Sequence, residues 1–211
     1  MFPKAKYVVD RFHCTTYIMD ALDNIRIRLQ KLYGDKSKEY KLLKNKKNVS
    51  LLRKYSNDIN WWVFTKRYKN GHMVDVLPVD ILDDILKISN DLMEGCYLKE
   101  EFLDIVHHYN QIDVEKQITK WISKCIEKNI PEFVESAGTI SRWKEYILNS
   151  FIDDRYSNGY TEGINNKIKV IKRIAFGYKS FELFRERILY IFNGKISGSV
   201  KRKMTSKSKN S

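Results

Sequence analysis

Disulfides, tight turns and membrane spans are what this sequence has least of. Its three cysteines (Cys14, Cys96 and Cys125) are odd in number and far apart, which gives no disulfide framework and no Cys-x-x-Cys metal pair. Nine glycines and three prolines in 211 residues are too few for a turn-dense β-sandwich or a collagen-like chain. No apolar run approaches the ~18 residues that a spanning helix needs, the densest being Ile188–Phe192. Met1–Lys6 lacks the apolar centre of a signal peptide. Together these point to a reduced cytoplasmic protein with no membrane partner, its thiols serving as packing residues.

Positive charge is abundant. Thirty-nine Lys and Arg against 26 Asp and Glu give a formal net charge of +13, which suits an anionic partner, nucleic acid before membrane. Apolar residues at 43 % and aromatics at 13 % exclude a disordered chain. The charge is uneven. Residues 165–211 hold thirteen Lys/Arg against Glu182 and Glu186, and residues 35–54 hold eight against Asp35 and Glu39. Residues 75–104 are acidic, with nine Asp/Glu against Lys87 and Lys99. The last stretch, 197–211, is Ser/Lys-rich without apolar periodicity and reads as a disordered basic tail.

The pattern predicts one strand and about seven helical segments. Ala5–Val9 is short and β-prone and leads into Asp10. Ile18, Leu22, Ile25, Leu29 and Leu32 mark one face of a helix from Thr15 to Leu32, stopped by Gly34. Tyr40–Lys44 reads equally as a short strand or a helical turn. Leu52, Tyr55, Ile59, Trp62 and Val63 suggest a helix ending near Asn70-Gly71. Pro78 suits the first turn of the next helix, with a break near Ser89-Asn90 before a segment through Leu92, Cys96 and Phe102. Asp113 can cap a helix containing Trp121. Asn129–Pro131 separates it from a segment through Phe133 and Ile147, interrupted near Gly138-Thr139. Residues 153–159 read as a loop, Thr161–Ala175 as a helix, Phe176–Tyr178 as a turn, and Phe181, Phe184, Ile188 and Ile191 as the face of a last helix.

Two stretches can carry chemistry. In Asp10-Arg-Phe-His13, a carboxylate ending a strand can bind a metal, with His13 orienting metal or phosphate; on spacing alone a helix cap and a structural histidine are the more ordinary reading. Along the helix from Thr161, Ile164, Ile168, Ile171 and Ala175 form an apolar stripe. Glu162, Asn165, Asn166, Lys169, Lys172 and Arg173 fall opposite. A carboxylate favoured by the helix dipole thus begins a row of amides and of cations placed for phosphates. An ordinary amphipathic surface helix would look similar. Trp61, Trp62, Trp121 and Trp143 suit core packing better than base stacking, although Trp61 and Trp62 cannot both face inward. His107-His108 lacks the partners of a metal site.

Phe2–His13 and Ser157–Leu189, and more weakly Leu98–Ile105 and Ile140–Phe151, resemble the ISL-three family of bacterial insertion-sequence transposases. The element Asn-Gly-x-x-Glu-Gly-x-Asn-Asn-x-Ile-Lys, residues 158–169, is the specific part. The resemblance implies a predominantly α-helical chain. It is expected to be the C-terminal part of an RNase H-like α/β domain, with one or two short strands and a large helical insertion. The implied division is 1–44 (strand and first core helix), 45–145 (insertion), 146–193 (C-terminal core helices) and 194–211 (tail). Of the family's catalytic Asp-Asp-Glu triad, Asp10 corresponds to the second Asp and Glu162 to the Glu, as catalytic and metal ligands. His13, Asn165 and Asn166 would support them. Lys167, Lys169, Lys172, Arg173, Lys179, Arg185 and Arg187 would contact DNA.

The cofactor so implied is magnesium, two ions in a complete triad, and the partners are transposon-end DNA and a full-length transposase. The family's first Asp, zinc motif and helix-turn-helix have no counterpart in these residues. The expectation is therefore a bacterial transposase fragment, inactive alone. The alternatives are a non-catalytic DNA-binding module and a helical regulator of a full-length transposase.

Overall fold

The longest helix, α1 (Arg11–Tyr33), organises the first part of the chain. In the computed structural model the described residues are 7–69, 71–108, 111–152, 159–175, 177 and 180–193. They divide into two compact units, Met1–Ser157 and Asn158–Ser211. Cys14, Ile18, Ala21, Leu22, Ile25 and Leu29 of α1 are buried, at the three- and four-residue steps that put side chains on one face. Gly34, at φ 72°, ends the helix, a left-handed conformation that glycine adopts without a Cβ clash.

After α1 come α2 (Lys38–Lys44), α3 (Lys46–Arg53) and a single 3₁₀ turn at Ser56–Asp58. Strands β1 (Thr65–Lys69) and β2 (His72–Val76) pair antiparallel, with Thr65 opposite Val76 and Lys69 opposite His72. Four helices complete the unit: α4 (Pro78–Leu86), α5 (Asn90–His108), α6 (Gln111–Lys128) and α7 (Pro131–Asn149). Helix α1 packs on α5 and α7, and α6 packs on both of these as well. The centre is aromatic. Trp121 lies 4.8 Å from Phe102 and 6.5 Å from Phe133, ring centre to ring centre. Its indole N–H donates to the Leu98 carbonyl at 2.8 Å, so the ring is buried without an unmet donor. Gly95 lets α5 approach this centre, because a Cβ there would lie 2.8 Å from Ile25 Cδ1.

The second unit contains α8 (Gly159–Ile174) and α9 (Phe181–Asn193), which pack on each other. Ile171 is buried, and Ile164, Ile168 and Ala175 are half-buried, the stripe expected from spacing. Gly177, at φ 95°, donates its N–H to the Lys172 carbonyl at 3.2 Å and closes α8.

The chain is predominantly helical, as expected, but several local expectations fail. Tyr7–Val9 forms no strand; Ala5 and Lys6 lie outside the described residues. The Val9 N–H donates to the Tyr146 carbonyl, and Asn149 donates to the Tyr7 carbonyl at 2.8 Å. The end of α7 thus satisfies a backbone that would otherwise need a neighbouring strand. The helix expected through Tyr55, Ile59 and Val63 is replaced by the 3₁₀ turn and β1. A hairpin turning at Gly71 (φ 87°), with alternating inward Thr65, Arg67, Val74 and Val76, overrides the apparent helical spacing. Tyr40–Lys44 belongs to a helix. Helix α6 begins at Gln111, so Asp113 sits in its first turn and is not its cap. Helix α7 runs unbroken through Gly138-Thr139. Leu32 is exposed, as are Phe181 and Ile191; α9 turns Phe184, Ile188 and Phe192 inward instead. The loop 153–158 and the tail 194–211 lie outside the described residues. Among the described residues, no helix is long and apolar enough to cross a membrane.

Candidate metal and nucleic-acid sites

Asp10 is the N-cap of α1. Its backbone is extended (φ −62°, ψ 134°), and its carboxylate accepts from the Phe12 N–H at 2.8 Å. The cap satisfies one of the orphan donors at the helix start. Beneath it, burial first and the Asp10 charge second push the Cys14 thiol up to about 12. His13 occupies the same first turn and is exposed; its ring lies edge-on to Phe12 at 6.2 Å. Asp10 therefore does structural work whatever else it does, and it sits where a helix dipole favours negative charge.

Glu162 lies in the first turn of α8 and is exposed. Asn165, Asn166, Lys167, Lys169, Lys172 and Arg173 are exposed along the same helix. Lys167 places its ammonium 4.6 Å from the centre of the Phe192 ring, an arrangement that holds the cation against α9. Arg185 and Arg187 are exposed on α9. Lys179 lies outside the described residues. The second unit so gathers six of its seven expected DNA-contacting cations on two packed helices, with Glu162 at one end. Asp10 and His13 belong to the first unit.

Carboxylate oxygens are the hard donors that magnesium prefers, so Asp10 and Glu162 have the right chemistry for it. No group of three or more His, Cys, Asp or Glu side chains gathers into a metal site among the described residues. His107 stacks on Tyr55 at 5.2 Å, and His108 lies near the Tyr55 hydroxyl, which donates to Asp104. The histidine pair is thus part of an aromatic cluster. The three cysteines are free and buried, and burial raises their thiols. Trp121 is in the core, Trp61 donates to the Ser56 carbonyl at 3.1 Å, Trp143 lies edge-on to Tyr17, and Trp62 is 84 % exposed.

One polar feature escaped the sequence reading. Lys99 is 1 % exposed and donates to the carbonyls of Leu52 (3.1 Å) and Lys54 (2.6 Å), beside the Glu100 carboxylate at 2.5 Å. Glu100 in turn accepts from the Ser56 N–H at 3.1 Å. The pair clamps the end of α3, where carbonyls run out of helical partners. Its only sequence signal is a lysine at an inward position of α5, four residues before Leu103.

A family model described as a transposase, of the DDE type and the ISL-three group, matches residues 1–188. The chain is 32 % identical over 125 residues to a protein of Lactococcus lactis named ATP-dependent protease, covering 59 % of this chain and 38 % of that one. It is 36 % identical over 84 residues to the transposase for insertion sequence element IS1557 of Mycobacterium tuberculosis, covering 40 % of this chain and 19 % of that one. It is 23 % identical over 195 residues to the transposase for IS1001 of Bordetella parapertussis, covering 91 % and 43 %. The chain therefore spans less than half the length of each of these relatives. No solved structure matches.

Proposed function

The chain belongs to the ISL-three family of DDE transposases, and from that premise we propose that it contributes two carboxylates and a cationic helix pair to metal-dependent DNA strand cleavage and transfer. The observation that carries this reading is the family match over residues 1–188, which spans both Asp10 and Glu162. The domain so formed would be RNase H-like, with residues 45–145 as its helical insertion.

Magnesium would be held by Asp10 and Glu162 and would supply Lewis-acid stabilisation of the oxygens at the phosphodiester. The chain's own residues do the rest. Lys169, Lys172 and Arg173 bind and position phosphates along α8, with Lys167, Lys179, Arg185 and Arg187 extending that surface. Asn165 and Asn166 orient the strand through hydrogen bonds next to Glu162, and His13 supports Asp10. With two carboxylates of a three-carboxylate mechanism, these 211 residues by themselves would not cleave DNA, and the third carboxylate would come from outside them.

The test is excision of the encoding element in cells, beside cleavage of transposon-end DNA by the purified chain. Asp10→Asn and Glu162→Gln should each lower excision at least about 100-fold, within the range that loss of a positioned catalytic group produces. The purified chain should leave the DNA intact in magnesium or manganese. Cleavage that Glu162→Gln removes would sink the inactivity; excision that survives both substitutions would sink the carboxylate assignment.

A further inference from the structure

Between α3, the β-hairpin and the start of α4 lies an open cleft of about 550 Å³. Lys47, Lys54, Lys66 and Arg67 line it, and no acidic residue does among the described residues. Lys66 stands opposite Asp75 across the hairpin, yet no ion pair joins them among the described residues. Arg67 is the most telling of the four. Among the described residues its Nε is buried without a hydrogen-bond partner, and its Nη1 reaches Asn45 Oδ1 at 3.4 Å. A guanidinium that lines an open cleft with no facing carboxylate among the described residues suits an oxyanion, whose geometry its planar fork matches.

The lining residues have exposed aromatic neighbours in the chain, and the cleft has a continuation. Trp62 is 84 % exposed, Phe64 63 % and Tyr68 75 %; Val63, between the first two, lines the cleft itself. Exposed rings that alternate along the chain with the lining residues Val63, Thr65, Lys66 and Arg67 suit unpaired bases better than an acidic protein surface. A second cleft, of about 610 Å³, shares Lys54 and is lined by Arg11, Phe12, Arg53 and His107, with Asp58 as its acidic residue. Arg53 is already engaged by Asp20 and Asp23, each at 3.6 Å. Arg11 and Phe12 directly follow Asp10. Lys54 thus links the hairpin to the start of α1, within one compact unit.

We propose that the two clefts form a single-stranded DNA track on the first unit, from the β-hairpin to the N-terminus of α1. Phosphodiesters bind Lys47, Lys54, Lys66 and Arg67, and unpaired bases stack on Trp62, Phe64 and Tyr68. The track rests on the transposase reading only for the identity of the polyanion. Its residues all belong to the first unit, whereas the cations of α8 and α9 belong to the second.

The experiment is fluorescence anisotropy of a labelled 20-nucleotide single strand and its duplex against the purified 211-residue chain, over a salt series. The triple variant Lys54→Ala, Lys66→Ala, Arg67→Gln should weaken single-strand binding at least about tenfold. It should also lower the salt slope by about 2, near the ~0.7 per neutralised phosphate of single strands. Trp62→Ala should cost the single strand about fivefold or more, the low end for one stacked base, and cost the duplex less. Lys120→Ala, on the exposed face of α6, should bind normally. If circular dichroism shows the triple variant unfolded, Lys66→Gln and Trp62→Ala, both at exposed positions, carry the same comparison.

Unchanged single-strand binding in these variants overturns the track. If Lys169, Lys172 and Arg173 substitutions then abolish binding, the transposase reading survives without it. Equal losses for poly-glutamate also overturn the track, because the site would then recognise acidic protein. No DNA binding by the unaltered chain removes the track and the DNA-contact assignments together, while the excision test still judges Asp10 and Glu162.

Discussion

Asp10 and Glu162 both stand at the start of a helix, in surroundings that differ sharply. Asp10 caps α1, a helix buried on α5 and α7, and its carboxylate is committed to a backbone N–H. Glu162 opens α8, whose other named polar residues are exposed amides and cations. The first carboxylate is thus tied to the stability of its unit, the second to a surface. A functional assignment from sequence treats them alike. Their local structures show that substitutions at the two positions cannot be compared without separating folding from chemistry.

The sharpest contrast between the units should come from their cores. Trp121→Ala removes a ring buried against Phe102 and Phe133 and leaves a cavity. It should destabilise the first unit by about 3–5 kcal/mol in denaturant unfolding. Ile168→Ala, at a half-buried site between α8 and its neighbours, should cost roughly 1 kcal/mol. Equal losses would contradict the division into a thick core and a thin one.

Lys99 comes next. Lys99→Ala takes the ammonium from the Leu52 and Lys54 carbonyls and from Glu100, leaving buried acceptors unpaired. The expected loss is about 2–4 kcal/mol, set by the remaining unpaired groups. Lys99→Met, which keeps the packing volume, should cost as much, because the acceptors stay unpaired. A tolerated Lys99→Met would show that the clamp is not needed.

The two carboxylates separate at the next level. Asp10→Ala should cost about 1 kcal/mol through the lost cap, whereas Asp10→Asn keeps a capping side chain and costs much less. Glu162→Gln should leave the melting temperature unchanged. If all three variants melt alike, Asp10 does not support its helix as its geometry indicates.

The smallest effect is on pH. Burial pushes the Cys14 and Cys125 thiols up to about 12, above the ordinary value of roughly 8.5. A raised thiol gives stability that is fully present below the unfolded value and is lost as pH climbs from about 9 towards 12. Stability should therefore fall across that window, and Cys14→Ser with Cys125→Ser should flatten the fall. At pH 8 a maleimide should label none of the three buried cysteines of the native chain, and all three in denaturant.

Sequence was informative where one signal dominated. The face of α8 was legible because Ile164, Ile168 and Ile171 recur at helical steps with cations opposite. The start of α4 was legible because Pro78 has a fixed φ and no N–H to lose. The hairpin was misread because Leu52, Tyr55, Ile59 and Trp62 imitate helical spacing, while the decisive Asn70-Gly71 looked like a helix end. The strand before Asp10 was misread because β-propensity measures fit to a half-buried surface, not the presence of a neighbour to pair with. Lys99 was invisible because a lysine on a helix normally reaches water, and its two carbonyl partners lie 47 and 45 residues away.

The sequence by itself determined the helical class, the reduced cysteines, the positive charge and the family, since each is set by composition or by residues close together in the chain. Only the tertiary structure decided that Asp10 caps a buried helix, that Lys99 closes α3, and that Arg67 lines a cleft with no carboxylate among the described residues. Those outcomes depend on which distant donors and acceptors meet once water is excluded, and local spacing does not encode that pairing.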